Sequence, residues 1–248
     1  MSLFETTLPP GEPELIRVSS FQRYLDDLAR NAPEGALTTR LSSLSPSLTL
    51  DLLRFEQGGR EADPLEVLAA CVRHGRSLTV HLQCAHKVLP LTVFPLQRMT
   101  HCPVDLQALV EDHEPLAVLQ VEPATLRPPG DPDASLVGEP QWYQPLSPLL
   151  WALALHGARS ELLPEVAGAA VYRVAPDFNL ALLPNNGPLR QAVYRLRRDV
   201  ASQREIAEWP GLSRELATRL LNAIYLQAGL IISRSHPGAL GERWFRAL

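Results

Sequence analysis

Residues 202–235 contain a cluster of helix-boundary signals that restricts how this segment can fold. Ser202 and Glu205 have the spacing of a capping box, which predicts a short helix that ends near residue 208. The Pro-Gly pair after this helix predicts a tight turn, in which Gly211 supplies the backbone freedom. We therefore expect a second helix to begin here and to cross the first at a large angle.

The second half of the same segment predicts a longer helix followed by a strand. Ser213 is placed to cap a helix over 214–228, and Gly229 stands where a left-handed residue commonly ends a helix. Residues 230–232 are Leu, Ile and Ile, which favours a strand. Short helix, glycine turn, long helix and strand follow one another in the order of a winged helix-turn-helix. The side chains expected to face outward from the long helix are Arg214, Glu215, Thr218, Arg219 and Asn222.

This segment resembles the helix-turn-helix of the Crp/Fnr family of bacterial transcription regulators. The matching residues are Glu205-Ile206, Gly211, Ser213-Arg214-Glu215, Arg219 and Gly229-Leu230-Ile231. The base contacts that the resemblance implies are Arg214, Glu215 and Arg219, whose residue types pair with base edges in a major groove. The phosphate contacts that it implies are Ser202, Arg204 and Ser213, each near a helix N-terminus.

Two classes of function are consistent with such a segment, because winged helices also serve as protein-docking modules. In the first, the protein is a non-enzymatic bacterial transcription regulator that binds double-stranded DNA. In the second, it is an adaptor that uses the winged helix to dock a protein partner. DNA-binding modules of this kind commonly occupy two half-sites as dimers, so a homodimer is an open alternative to a monomer.

The charge of the chain is divided unevenly. Residues 189–248 contain ten Arg and five acidic residues, a net charge of +5. Residues 1–188 contain 13 basic and 22 acidic residues, a net charge of −9, so the whole chain carries −4. This division predicts that the C-terminal part meets an anionic partner, while the acidic remainder does not assist binding to phosphates.

The predicted fold class is α+β, with a small mixed α/β N-terminal domain followed by a mostly helical C-terminal domain that ends in the winged helix. Residues 127–140 contain four prolines and two glycines, which is typical of a linker. The predicted divisions are a flexible segment over 1–19, an α+β sensing or docking domain over 20–126, the linker over 127–140, and the helical domain over 141–248.

Individual elements are predicted from their boundary residues and periodicity. Asp63 followed by Pro64 begins a helix that Gly75 ends. Alternation in residues 78–84, together with the β-rich residues after them, predicts a hairpin that turns near His86. The other predicted elements are a helix over 21–30, a short helix over 104–112, a strand over 115–123 and a helix from Ser147 to Gly157. A further helix is predicted from Pro188, with Leu189, Val193, Leu196 and Val200 on one face. Residues 48–53 fit a strand and a helix equally.

Cysteine and histidine cluster between residues 71 and 113, which contain all three Cys and five of the seven His. Cys71 and His74, and likewise His81 and Cys84, have the spacing of metal ligands, and together they would make a tetrahedral zinc site. On a strand, however, His81 and Cys84 point to opposite faces. We therefore favour cysteines buried in the core, with a metal site or an enzyme built on these four residues as the alternative.

Motifs of the common enzyme classes are absent from the sequence. It contains no phosphate-binding glycine loop, no nucleophile elbow and no metalloprotease motif, so we expect no catalytic residue and no cofactor. The longest uninterrupted apolar run is seven residues, Leu149 to Leu155, which predicts no membrane span. The first twenty residues contain three Glu and no basic cluster before an apolar stretch, so we expect a cytoplasmic protein.

Overall fold

The structure, a computed structural model, describes residues 15–31, 47, 48, 51, 63–182 and 187–235. Most of the predicted flexible segment, residues 1–14, and residues 49, 50, 52 and 53 of the apolar stretch lie outside the described residues. The described helices are α1 (Val18–Asn31), α2 (Pro64–His74), α3 (Leu106–Glu111), α4 (Leu146–His156), α5 (Gly187–Arg198), α6 (Gln203–Ala207) and α7 (Arg214–Leu226). The described strands are β1 (Leu78–Cys84), β2 (Lys87–Phe94), β3 (Met99–His101), β4 (Leu116–Pro123), β5 (Tyr143–Pro145), β6 (Val171–Val174), β7 (Ala201–Ser202) and β8 (Leu230–Ser233).

Local signals decide where α2 begins and ends. The Asp63 carboxylate accepts a hydrogen bond from Leu65 N at 2.9 Å, and Pro64 occupies the first turn. At the other end, Gly75 adopts a left-handed conformation with a φ of 61° and its N–H donates to Val72 O. The prediction of a helix over 64–74 is therefore confirmed.

The first sheet contains five antiparallel strands in the order β4-β1-β2-β3-β5. β1 and β2 form the predicted hairpin, and the chain turns between them at Ala85 and His86. β5 lies at one edge, where it pairs with β3 and places Tyr143 opposite His101. A strand from beyond residues 127–140 thus completes the sheet of the N-terminal half.

The second sheet has three antiparallel strands in the order β7-β6-β8. Its central strand β6 places Tyr172 opposite Ala201 of β7 and Arg173 opposite Ile231 of β8. β7 directly precedes α6, and β8 follows α7, so two strands of this sheet flank the helices α6 and α7. The strand that pairs with β8 comes from upstream of α5, at residues 171–174.

The prediction of a mostly helical C-terminal domain is wrong. Residues beyond 141 contribute β5 to the first sheet and all three strands of the second. Of these four strands only β8 matches a predicted one, and β5, β6 and β7 are two to four residues long, so each contains too few alternations for a period of two to stand out. Antiparallel sheet is therefore present on both sides of the predicted linker.

The core is organised around α4, which has apolar residues on every side. Eight of its eleven residues are buried, and it contacts α2, α3, α7 and β3. Apolar side chains from both halves of the chain, such as Leu91 in β2 and Tyr172 in β6, belong to one hydrophobic cluster with Leu150 of α4. Residues 127–140 therefore connect two parts of the same core.

The turn between α6 and α7 is built as its residue types predict. Ser202 and Glu205 form the capping box, in which Ser202 N donates to the Glu205 carboxylate at 2.7 Å. Gly211 has a φ of 76°, a conformation that strains residues with a Cβ atom. Pro188 of α5 closes the space beside it, because a Cβ at position 211 would lie 2.9 Å from the proline ring.

The C-terminal end of α7 differs from the prediction. The helix ends at Leu226, and the left-handed residue after it is Ala228, with a φ of 57°. The prediction that Gly229 is left-handed is wrong, since its φ is not in that region. Glycine suits position 229 for a different reason, because a Cβ there would collide with the ring of Phe178, a contact that local spacing does not reveal.

We expect Gly211→Ala to lower the free energy of unfolding by about 1–3 kcal/mol, through the strained φ and the contact with Pro188. Gly187→Ala is the matched control, since a Cβ there meets no atom within 4 Å. We expect this control to change stability by less than about 0.5 kcal/mol. Urea denaturation of both variants measures the difference, and equal effects would contradict the assignment of strain to the turn.

Candidate functional site

α7 is the helix that the Crp/Fnr resemblance assigns to a major groove. Eight of its thirteen residues are buried, and it packs against α4, α6 and β8. Only Arg214 and Glu215, in its first turn, are exposed. In a helix-turn-helix the N-terminal residues of the recognition helix contact base edges, and the resemblance places one of the three base contacts, Arg219, beyond the exposed first turn. In this fold the rest of α7 is a core helix.

Two side chains that were expected to face outward from α7 bind the protein itself. Asn222 is completely buried, where its Oδ1 accepts from Leu163 N and its Nδ2 donates to Glu161 O, each at 2.9 Å. Thr218 is also buried, and its hydroxyl donates to Arg214 O at 2.8 Å. The expectation that Thr218 and Asn222 face outward is therefore wrong, because Asn222 binds the segment after α4 and Thr218 accepts a hydrogen bond from Gln203 Nε2 of α6 at 2.6 Å.

Arg219 connects α7 to the C-terminal end of α4. Its guanidinium donates to Leu155 O at 3.0 Å and to Gly157 O at 2.8 Å, and its Nε donates to Glu215 at 3.0 Å. The side chain is only 14% exposed. A cation at the C-terminus of a helix satisfies free carbonyl groups and stabilises the helix dipole. A base contact by Arg219 would require these hydrogen bonds to break.

The predicted phosphate contacts are divided between buried and exposed positions. Ser202 is buried and accepts from Glu205 N at 3.3 Å, so its hydroxyl serves the capping box. Ser213 is exposed and accepts from Leu216 N at 3.1 Å. Arg204 is exposed, with its Nε 3.5 Å from a carboxylate oxygen of Glu208. The exposed members of the six predicted DNA contacts are Arg204, Ser213, Arg214 and Glu215.

A basic surface that the sequence interpretation missed lies on α5. Positions 190, 194 and 198 succeed one another at four-residue intervals, so Arg190, Tyr194 and Arg198 share one face of the helix. Arg195 lies beside this face, and all four side chains are exposed. The opposite side of α5 buries Leu189, Ala192, Val193 and Leu196. We call the exposed set Arg190, Tyr194, Arg195 and Arg198 the α5 face.

Sequence periodicity contains the signal for this surface. The predicted apolar stripe of α5 is buried except for its last member, Val200, which lies beyond the helix end and is 44% exposed. The polar positions between the stripe residues are therefore the outward ones. α5 contains four Arg and no acidic residue, so these positions make a cationic surface.

Aromatic rings orient two arginines of the α5 face. The guanidinium carbon of Arg195 lies 4.4 Å from the ring centroid of Trp209, and that of Arg190 lies 6.0 Å from the Tyr194 centroid. Trp209 is itself only 9% exposed beneath Arg195. Within the described part of the chain, Arg198 has no hydrogen bond or ion pair. The fourth arginine of the helix, Arg197, donates instead to the backbone oxygen of Pro176.

The structure does not bring together the four alternative metal ligands. His74 Nε2 lies 2.8 Å from an Asp51 carboxylate oxygen, and His81 Nε2 lies 3.0 Å from a Glu122 oxygen. The described residues contain no group of three or more His, Cys, Asp or Glu side chains placed to hold a metal ion. Cys71, on α2, is buried in the hydrophobic core, whereas Cys84, at the end of β1, is partly exposed.

Comparisons with protein families, curated proteins and solved structures found no match to this chain. Among the described helices, none has the length and apolar character needed to cross a membrane. The function is therefore inferred from the side chains, their contacts and their charges.

We expect Arg219→Ala to lower the free energy of unfolding by about 1–3 kcal/mol, because Leu155 O and Gly157 O lose a charged hydrogen-bond donor. Arg214→Ala removes the same type of side chain from an exposed position. We expect this control to change stability by less than about 0.5 kcal/mol. Thermal and urea unfolding measure both variants, and a neutral Arg219→Ala would contradict the structural role of Arg219.

We expect a thiol-reactive aromatic disulfide to modify Cys84 before Cys71 and Cys102 in the folded protein. Burial raises the pKa of Cys71 to about 12 and that of Cys102 to about 11, so these thiols lack both access and thiolate character. Partial burial and the Glu114 carboxylate also raise the pKa of Cys84, so its reaction should be slow near neutral pH and faster as the pH rises. Rapid labelling of a folded Cys84→Ser variant would contradict this order.

Proposed function

We propose that this protein is a non-enzymatic cytoplasmic adaptor of bacterial type, and that the region formed by α5, α6 and α7 docks a protein partner. The observation that carries this proposal is the position of Arg219, whose guanidinium binds the last carbonyls of α4. The same face of α7 buries Asn222 completely. Because this face is occupied by the protein's own core, α7 does not offer it to a DNA groove.

Charge also favours a protein partner over duplex DNA. Affinity for a duplex grows with the number of phosphates that basic residues neutralise. The exposed first turn of α7 offers Arg214 next to Glu215, and Arg204 in α6 lies next to Glu208. The acidic residues offset the cations at the positions where the resemblance predicts contacts with DNA, and the chain as a whole carries −4.

The fold supports docking through a rigid surface. Both sheets and the helices α2, α4 and α7 share one hydrophobic cluster, so the exposed helix α5 is held on a packed base. Leu189, Val193 and Leu196 fix α5 to this base and leave its other face in solvent. A preorganised helix face loses little conformational entropy when it binds, which is favourable for a docking module.

Binding to a random duplex library at about 50 mM salt tests the proposal. We expect weak binding without sequence preference, and no change in that preference in Arg214→Ala. Under the DNA alternative, a preferred sequence would emerge, and Arg214→Ala would reduce its affinity by roughly 1–3 kcal/mol. Such a sequence-specific complex, sensitive to Arg214, would overturn the adaptor proposal. Arg23→Ala in α1 is the control for a general loss of positive charge.

A further inference from the structure

Extending the docking function proposed above, on which it rests, we propose that the α5 face binds an acidic segment of a partner protein. The carboxylates of this segment would pair with Arg190, Arg195 and Arg198, and an apolar side chain would contact Tyr194. The inference rests on charge complementarity, because α5 contains four Arg and no Asp or Glu. Asp199, the nearest acid in sequence, follows the end of the helix.

The spacing of the arginines defines the geometry of the partner. Arg190 and Arg198 are eight residues apart on one helix, which corresponds to about 12 Å along the axis. A partner helix with Glu at every fourth position repeats carboxylates along the same length. Arg is suited to this role because its planar guanidinium binds a carboxylate through two parallel N–H groups.

Trp209 prepares Arg195 for such a contact. The guanidinium carbon lies over the indole ring, 4.4 Å from its centroid, and this cation–π contact restricts the side chain. Its Nε lies 3.9 Å from Asp199, a long contact between two exposed side chains. Since the ring already restricts the side chain, less rotamer entropy is lost when a carboxylate binds.

Tyr194 gives the α5 face an apolar centre. Its side chain is 42% exposed and lies between the two arginines of the helix face, one turn from each. Tyrosine and arginine are enriched among the residues that dominate protein–protein binding energy, because they combine apolar area with polar groups. A partner that offers carboxylates around one apolar residue therefore matches this face better than a uniformly charged polymer.

Nucleic acid fits the α5 face less well. Arg197 donates to Pro176 O and its own carbonyl accepts from Arg173, so only three of the four arginines of α5 are available for a ligand. Glu208 is adjacent to Trp209 in sequence, and Asp199 follows α5, so acidic residues border the face. A polyanionic backbone would meet these carboxylates, whereas a short acidic segment need not extend beyond the arginines.

Fluorescence anisotropy with the full chain tests this inference. The probe is a labelled helical peptide with Glu at every fourth position around one central Leu, and the control peptide has Gln in place of each Glu. We expect the Glu peptide alone to bind, with an affinity that falls as salt rises from about 50 to 200 mM. We expect Arg190→Glu combined with Arg198→Glu to weaken binding at least about tenfold.

Three further variants make the result specific. Arg23→Glu combined with Arg76→Glu applies the same change of charge to exposed arginines remote in sequence from α5, and we expect less than a twofold effect. Tyr194→Ala should weaken the peptide complex while leaving its salt dependence unchanged. Circular dichroism monitors the fold of every variant. If charge reversal perturbs folding, Arg190→Gln combined with Arg198→Gln removes the same charges more mildly, and we expect it to weaken binding as well.

The inference is overturned if the Glu peptide does not bind, or if the Gln peptide binds equally well. It is also overturned if Arg204→Glu combined with Arg214→Glu weakens the complex as much as the α5 pair, because the site would then lie on α6 and α7. If the peptide does not bind and the protein shows no sequence-specific binding to duplex DNA, the α5 site is wrong but the adaptor function is still supported. Sequence-specific duplex binding that depends on Arg214 would remove the adaptor function itself.

Discussion

Burial of α4, a helix with apolar residues on every side, organises the fold. Its apolar surface cannot remain in water, so elements from the whole chain surround it. At its start, Leu146 N donates to Arg98 O at 2.9 Å, and Ser147 O accepts from Gln227 Nε2 at 3.0 Å. At its end, Arg219 holds Gly157 O at 2.8 Å. Both ends of α4 are therefore tied to other parts of the fold.

This central position of α4 changes the meaning of the helix-turn-helix pattern. The same succession of caps and turns that would present a recognition helix is present in residues 202–235, but α4 and the chain after it cover the helix. The charged surface that remains open belongs to α5, a helix that the resemblance leaves without a role. The exposed basic surface of α5 therefore supports the proposed acidic protein partner better than α7 supports a nucleic acid.

Much of the local structure could be predicted, because the signals involve residues within a few positions of one another. The Asp63 cap, the Ser202–Glu205 box and the Gly211 turn are where their residue types indicate. The outward face of α7 could not be predicted, because it depends on Glu161 and other residues about 60 positions away. The strand at residues 230–232 was predicted, whereas the short strands β5, β6 and β7 were missed, because each is stabilised by a partner strand distant in sequence. The Arg-rich composition pointed to an anionic partner, yet it did not distinguish the exposed arginines from Arg219.

Because caps, turns and composition act locally, they are enough to predict the approximate ends of most helices, the first hairpin and the positive charge of the C-terminal part. Periodicity predicts the buried stripe of α5, whereas which residues of α7 meet water depends on the segments that pack against it. Arg214 and Arg219 are both predicted base contacts on α7. In the structure Arg214 is exposed, whereas Arg219 binds the carbonyl of a residue 64 positions away. Burial is a property of what packs around a side chain, and that is set by segments that the local sequence does not contain.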